Sequence, residues 1–334
     1  MSTRPRRLIA TEEACAFSEQ VEAIRKLAEH PGDDPDLVMW SRFLSPAYAT
    51  VLRRLLDLDD ERIGVMDEAG VDVHVLSMTS PGVQMFDADT ATAMAISTND
   101  RLADAVARHR GRFAGLATVA PQDPKRAAKE VDRAINTLKL NGLIINSHTN
   151  GEYLDDPKFR PILEAAAATS AAIYIHPRNP PFPASKILDG PYNLYGAIWG
   201  FQVETGTHAM RLIVNGVFDL FPDLKIVLGH LGEALPFWVY RMDYMWRGKL
   251  KRKPSEYLKE NFIITTSGVN FHPTLHYCHS VLGADRIMFA VDYPYQETRE
   301  AVEFMKAAPL PDADLDKISY RNAEHVFRIP PAAL

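Results

Sequence analysis

The sequence predicts an α/β chain folded as a single (β/α)₈ barrel of the TIM type, with long loops at its C-terminal mouth. Short apolar runs rich in β-branched residues recur eight times, and amphipathic stretches of helical spacing lie between them. Near-continuous apolar strands alternating with helices indicate a parallel sheet covered on its outer face. No Gly-x-Gly-x-x-Gly follows the first run, which disfavours a dinucleotide-binding sheet. Eight units in 334 residues suit a closed barrel, which takes roughly 200 to 400 residues.

The first strand is expected at Leu8–Ala14, followed by a long connection from Phe17 to about Leu52 and a helix at Arg62–Ala69. Strands two to four follow at Val71–Thr79, Phe113–Val119 and Gly142–Asn146, with helices at Thr90–His109 and Pro124–Leu138 between them. Strand five, Ala172–Pro177, leads into a second long connection, Arg178 to about Glu204, and then a helix at Thr207–Phe221. Strands six to eight are Lys225–Gly229, Phe262–Ser267 and Ile287–Val291, and the tail Leu310–Leu334 reads as a helix packed outside the barrel. Long connections in a compact domain usually serve as lids or binding loops. With no repeat, low-complexity tract or linker, residues 1–334 read as one domain.

A chain of this length buries a large core, so neither disulfides nor assembly is needed merely to fold. A net charge of −6 without a dense basic face argues against nucleic acid as a partner. The basic start Arg4–Arg7 has only Leu8–Ala10 behind it, which is no secretory signal, and no apolar run reaches the roughly 18 residues of a membrane span. Two cysteines, Cys15 and Cys278, make no disulfide framework. A cytoplasmic enzyme is the expectation.

Ligand-type residues sit where the apolar runs stop. Strand one ends at Glu12-Glu13, strand five at His176 (IYIHP), strand six at His230 (IVLGH) and strand eight at Asp292 (MFAVDYP). A barrel gathers its strand ends around one axis, at the mouth where barrel active sites lie. Two imidazoles and two carboxylates there would form a divalent site suited to Zn²⁺ or Mn²⁺, with Mg²⁺ as a third choice. Each residue alone has a plainer account: a loop histidine, an Asp opening the turn before Pro294, a glutamate in a rim ion pair. Four separate strand ends make coincidence a poor explanation. Alternation sends only one of Glu12 and Glu13 to the axis. Leu8, Ala10, Glu12 and Ala14 form the face with the smaller residues, so Glu12 is favoured and Glu13 stays as the alternative.

The stretches IATEEA, YIHPRNP, LGHLGEALPFWVYRMDY and FAVDYPYQ, with MTSPGVQ, NSHTNGEYLD, VETGTHAMRL and ITTSGV, together resemble the decarboxylase branch of the amidohydrolase superfamily over almost the whole chain. That branch includes the 5-carboxyvanillate, γ-resorcylate and 2,3-dihydroxybenzoate decarboxylases. The resemblance implies a metal-dependent, non-oxidative decarboxylase of a hydroxylated aromatic acid. It implies one divalent ion per subunit, held by Glu12, His176 and Asp292, with His230 beside it. Arg241 would hold the substrate and Tyr295 would line the pocket, with Phe17 and Trp199 as weaker candidates from the long connections. Such enzymes are oligomers, so a homodimer or homotetramer is implied, and the aromatic stretch FWVYRMDYMW is where contacts are expected. Departures matter too. The superfamily's His-x-His reads Glu12 and Ala14 here, and GLIINSH offers no lysine to bridge two metals, which disfavours a binuclear hydrolytic centre. Ala47 stands where the carboxyvanillate enzymes use an arginine, while HPRNP and DGPYNLYGAIWGF look more like the dihydroxybenzoate enzymes.

Losing CO₂ directly from an aromatic ring would leave a carbanion with no electron sink; protonating the ring carbon first avoids this, and the resemblance implies that order. Asp292 is the expected proton donor, tuned by His230, with Arg241 clamping an anionic group. Plainer roles remain for the others: Arg241 paired with Asp243 or Glu233, Tyr295 packed under Pro294, His148 a loop hydrogen-bonder, Cys15 a packing residue. Two rival functions stand beside the decarboxylase. One is a metal-dependent hydrolase of a lactone or amide, and the other a silent barrel that binds an aromatic acid.

Overall fold

The computed structural model describes residues 6–331, so Arg4 of the basic start and the last three residues of the tail lie outside the described residues. Its sheet has eight parallel strands in the order of the sequence: β1 (Ile9–Cys15), β2 (Val73–Met78), β3 (Phe113–Thr118), β4 (Gly142–Ile145), β5 (Ile173–Ile175), β6 (Ile226–Leu228), β7 (Phe262–Thr265) and β8 (Ile287–Met288). Backbone bonds from Thr11 N–H to Phe289 O (3.1 Å), Asp292 N–H to Glu12 O (3.1 Å) and Ala14 N–H to Tyr293 O (2.8 Å) tie the end of β8 back to β1. All eight expected strands are present, with helices between them. Asp87 and Asp123 cap two of these helices by accepting backbone N–H groups of the first turn, and Pro124 fills the first position of the second.

Inward residues fill the lumen by strict alternation: Val73 and Val75, Ala114 and Leu116, Ala172 and Tyr174, with Ile144, Val227, Ile263 and Met288. β1 departs from it. The register pairs Ala10 with His74 but Glu13 with Leu76, so Thr11 and Glu12 together stand opposite Val75. This β-bulge reverses the facing of everything before it. Ile9 therefore points into the lumen, while Leu8 and Ala10, expected on Glu12's face, turn outward to the helix layer.

The tail also differs from expectation. It is helical from Asp312 to Val326, but Ala323, Phe327 and Ile329 pack against the lumen residues and plug the barrel at its N-terminal end. The apolar lumen would otherwise open to water, so the chain's last helix supplies the missing floor.

The first long connection is not a loop. It carries helices Ser18–Ala28 and Pro35–Phe43 and enters a third, Ala49–Leu56. Gln20, Val21 and Ile24 give the first a buried stripe, and Asp34 caps the second ahead of Pro35. The second connection keeps its loop character, with two short turns, Ala184–Leu188 and Gly196–Ile198, before the helix Gly200–Val214. The two connections are locked together below the surface. Arg178 Nε donates to Asp36 Oδ2 at 2.7 Å, and Asn179 donates through its backbone and side chain to Asp36 Oδ1 at 3.1 and 3.0 Å.

Candidate metal centre at the barrel mouth

Glu12, His176 and Asp292 each present one donor atom, all within 4.8 Å of one another. They come from the ends of β1, β5 and β8, brought together by closure of the sheet. Glu12 is buried, and its two oxygens have different surroundings. Oε2 accepts hydroxyl protons from Tyr174, Ser267 and Thr265, the last at 3.0 Å. Among the described residues Oε1 has no hydrogen-bond partner, and it faces His176 Nε2 at 3.6 Å and His230 Nε2 at 3.8 Å.

The tautomer of His176 follows from its other nitrogen. Nδ1 lies 2.8 Å from the Pro177 carbonyl, which can only accept, so Nδ1 carries the proton and Nε2 presents a lone pair. Burial lowers the basicity of this imidazole against the pull of Glu12, keeping it neutral as a ligand must be. A lone pair facing an orphaned carboxylate oxygen in a buried site repels it unless a cation lies between them. The donor set of carboxylate, imidazole and carboxylate thus fits a borderline divalent ion.

His230 stands on an unusual backbone. Residues 230 to 234 all have positive φ: His230 51°, Leu231 52°, Gly232 81°, Glu233 53° and Ala234 63°. A left-handed turn costs about 1–2 kcal/mol per non-glycine residue, so the surrounding structure must over-determine it. It brings Glu233 under His230, whose Nδ1–H donates to Glu233 Oε1 at 2.7 Å, and aims Nε2 at Glu12 and, 4.0 Å away, Asp292. Burial opposes a charge on this ring, but the carboxylates of Glu233, Glu12 and Asp292 outweigh it and push His230 up to about 10.

Asp292 also sits in the left-handed region, at φ 75°. Glu13, the alternative ligand, holds it there from behind the sheet. Its Oε1 and Oε2 accept the N–H groups of Val291 (2.9 Å) and Tyr293 (3.2 Å), the two neighbours of Asp292. Burial and the charge of Glu12 raise the Asp292 carboxyl well above its usual range. Glu12 itself is held low, because the two histidines and its hydroxyl partners overcome the effect of burial. Two glycines make room. A Cβ on Gly229 would lie 2.6 Å from Glu12 Oε2, and one on Gly268, at φ 63°, would lie 3.3 Å from His230 Cδ2.

The structure therefore gathers Glu12, His176, His230 and Asp292. Tyr295 stands beside them: its N–H donates to Asp292 O at 2.9 Å, its hydroxyl lies 2.6 Å from Thr79 Oγ1, and its ring is 5.8 Å from that of Phe43. Phe17 is buried in the core under the Arg101 guanidinium. Trp199 is 54% exposed at the start of helix Gly200–Val214. Arg241 is exposed on helix Leu235–Met245, and among the described residues no hydrogen bond or ion pair engages it. Its expected surface partners are occupied elsewhere, Asp243 with Ser255 and Glu233 with His230. His148 is a hydrogen-bonded loop residue, with Nε2 2.9 Å from the Asn179 carbonyl. A cavity of about 1360 Å³ opens at the other end of the barrel between Arg110, Arg112, Lys139 and Arg328. Size alone does not locate the chemistry; donor atoms do.

Sequence reasoning missed Glu233 as the partner of His230, and Tyr174, Thr265 and Ser267 as partners of Glu12. One signal was available. Tyr174 with His176, and Thr265 with Ser267, are polar residues at a spacing of two on lumen-facing strands, in line with the mouth.

A closed parallel barrel offering these donors from β1, β5 and β8 defines a mononuclear metal-site barrel. The chain belongs to the amidohydrolase family, whose sequence pattern matches residues 40–329. It is 48% identical to the solved 5-carboxyvanillate decarboxylase of Sphingomonas paucimobilis, with a TM-score of 0.95 over 98% of this chain and 100% of that one. A 5-carboxyvanillate decarboxylase of Novosphingobium aromaticivorans, solved with manganese and 4-hydroxy-3-methoxy-5-nitrobenzoic acid, is 40% identical, with a TM-score of 0.91 over 97% of this chain and 96% of that one. The γ-resorcylate decarboxylase of Polaromonas sp. is 36% identical over 318 residues, 91% of this chain and 98% of that protein.

Proposed function

We propose that this chain is a metal-dependent, non-oxidative decarboxylase of a hydroxylated aromatic carboxylic acid, acting as one barrel domain. The observation that carries the reading is the orphaned Oε1 of Glu12 facing the lone pair of His176, in a family whose similar members remove CO₂ from such acids. Glu12, His176 and Asp292 would hold the ion, Mn²⁺ by analogy with the relative solved with it. Bound there, a divalent cation supplies Lewis-acid stabilisation of a phenolate ortho to the carboxylate.

The protein's own groups handle the proton. Asp292 delivers it to the ring carbon that bears the carboxylate. The C–C bond then breaks, CO₂ departs, and the electron pair restores aromaticity. As a metal ligand Asp292 is ionised, so it takes that proton from the substrate's ortho phenol, leaving the phenolate, before passing it to the ring carbon. His230, fixed by Glu233, sets the charge beside Asp292, and Tyr295 walls the ring. Arg241 as the clamp on the acid rests on the resemblance alone.

A second copy of the chain is the natural cover for the aromatic face of helix Leu235–Met245. Phe237 (66% exposed), Tyr240 (77%) and Tyr244 (62%) are exposed on it, with the rings of Tyr240 and Tyr244 stacked, and aromatic side chains of this kind are enriched at interfaces between chains. Among the described residues no helix is long and apolar enough to cross a membrane.

The test is CO₂ release from 5-carboxyvanillate, 2,6-dihydroxybenzoate and 2,3-dihydroxybenzoate by metal-stripped and manganese-restored protein. At least one acid should be decarboxylated, and only after restoration. Hydrolysis of lactones or esters with no CO₂ from any acid would establish the hydrolase instead.

A further inference from the structure

The two oxygens of Glu12 are treated so differently that the difference must have a consequence for the ion. Three hydroxyls converge on Oε2: Tyr174 from β5, Thr265 at the end of β7, and Ser267 two residues on. All three are buried. A hydroxyl has one proton, and a carboxylate oxygen has two lone pairs, so three donors saturate Oε2. Thr265 Oγ1 lies 3.0 Å from both Tyr174 Oη and Ser267 Oγ, but with all three protons spent on Glu12 these are neighbours rather than mutual bonds. Ser267 Oγ in turn accepts the His230 N–H at 3.1 Å, which joins the cluster to the left-handed turn. Gly229 leaves the carboxylate the space it occupies, since any side chain there would strike Oε2.

We infer that Tyr174, Thr265 and Ser267 are positioning residues that bar Oε2 from the cation and fix Glu12 as a one-oxygen ligand through Oε1. The inference rests on the metal reading above and adds the part that sets affinity. A carboxylate free to swing would bind the ion through either oxygen after losing rotational freedom; here that ordering is complete before the ion arrives. Outer partners of this kind typically change metal affinity by about 10- to 100-fold. The cluster also leaves the rest of the ion's coordination sphere to groups from the substrate side, because Glu12 occupies a single position.

The experiment measures manganese dissociation constants from the paramagnetic resonance signal of free Mn²⁺. It compares full-length wild type with Tyr174→Phe, Ser267→Ala, Thr265→Val and Thr265→Ser. Tyr257→Phe, which removes a buried hydroxyl bonded to Asp219 instead, is the control. The first three variants should bind Mn²⁺ about 10- to 100-fold more weakly, while Thr265→Ser and the control stay near wild type. Thermal midpoints of the metal-stripped proteins should differ little, which separates positioning from packing. If Thr265→Val fails to fold, Tyr174→Phe, which keeps the ring in place, still decides. Unchanged affinity in Tyr174→Phe and Ser267→Ala, with wild type binding tightly, overturns the inference and leaves the metal reading intact. Wild type that binds no manganese overturns both.

Discussion

The two halves of the barrel lumen use the same eight strands and the same alternation, and they end in opposite chemistry. Below, Ile9, Val73, Val75, Leu116, Ile144, Val227, Ile263 and Met288 close on Phe327 and Ile329 in an apolar plug. Above, the next inward positions are Thr265, Ser267, Glu12, His176 and Asp292, all polar and one with an unpartnered oxygen. Tyr174 spans the boundary, its ring in the plug and its hydroxyl on Glu12. Both halves are buried, so burial alone does not tell them apart. What distinguishes them is polarity: the lower half is apolar throughout, and the upper half holds buried polar atoms, among them the partnerless Oε1 of Glu12 that faces His176.

The largest effect should come from Asp292→Asn, which removes the proposed donor while leaving the shape of the upper half. Turnover should fall by at least about 10³-fold, with a nitro-substituted analogue of the acid still bound. CO₂ release and ligand titration check this, and turnover near wild type would remove Asp292 from the chemistry. Next comes the plug. Phe327→Ala should cost about 3–5 kcal/mol in denaturant unfolding with turnover per folded molecule little changed. A matching loss of turnover would mean that the halves are not separable. Glu233→Gln keeps a hydrogen bond to His230 but not the charge, and should lower kcat by about 10- to 100-fold with metal content retained. Loss of the metal instead would assign Glu233 to binding.

The smallest effect concerns a buried carboxyl outside both halves. Glu204, on helix Gly200–Val214, is pushed up to about 8, because burial outweighs Ser147 and Arg178 nearby. A raised carboxyl is held neutral by the fold. Its stabilising effect is fully present below its ordinary value of 4.5 and is lost as pH rises through about 8. Thermal midpoints from pH 5 to 9 should therefore decline less in Glu204→Gln than in wild type; parallel profiles would show that Glu204 is not the titrating group.

Most of the barrel was legible because its strands are short apolar runs bounded by turn signals. The polar residues that gather at the mouth were legible because such residues rarely follow apolar runs without cause. The bulge was not, since Thr11 and Glu12 look like ordinary strand residues and the extra residue appears only in the register with β2. The first connection hid its helices because the buried stripe of Gln20, Val21 and Ile24 is narrow and begins with a polar residue. Glu233 was hidden by the backbone: three residues from His230, it meets the ring through the geometry of a left-handed turn. The tail's role as a floor depends on where the barrel opens, which no local pattern carries.

The most direct test is the anomalous scattering of manganese in crystals of the full chain. One peak should lie between Glu12 Oε1, His176 Nε2 and the Asp292 carboxylate, with Oε2 still turned to its three hydroxyls. No peak there, or a peak elsewhere in a protein that decarboxylates in manganese, would contradict the account.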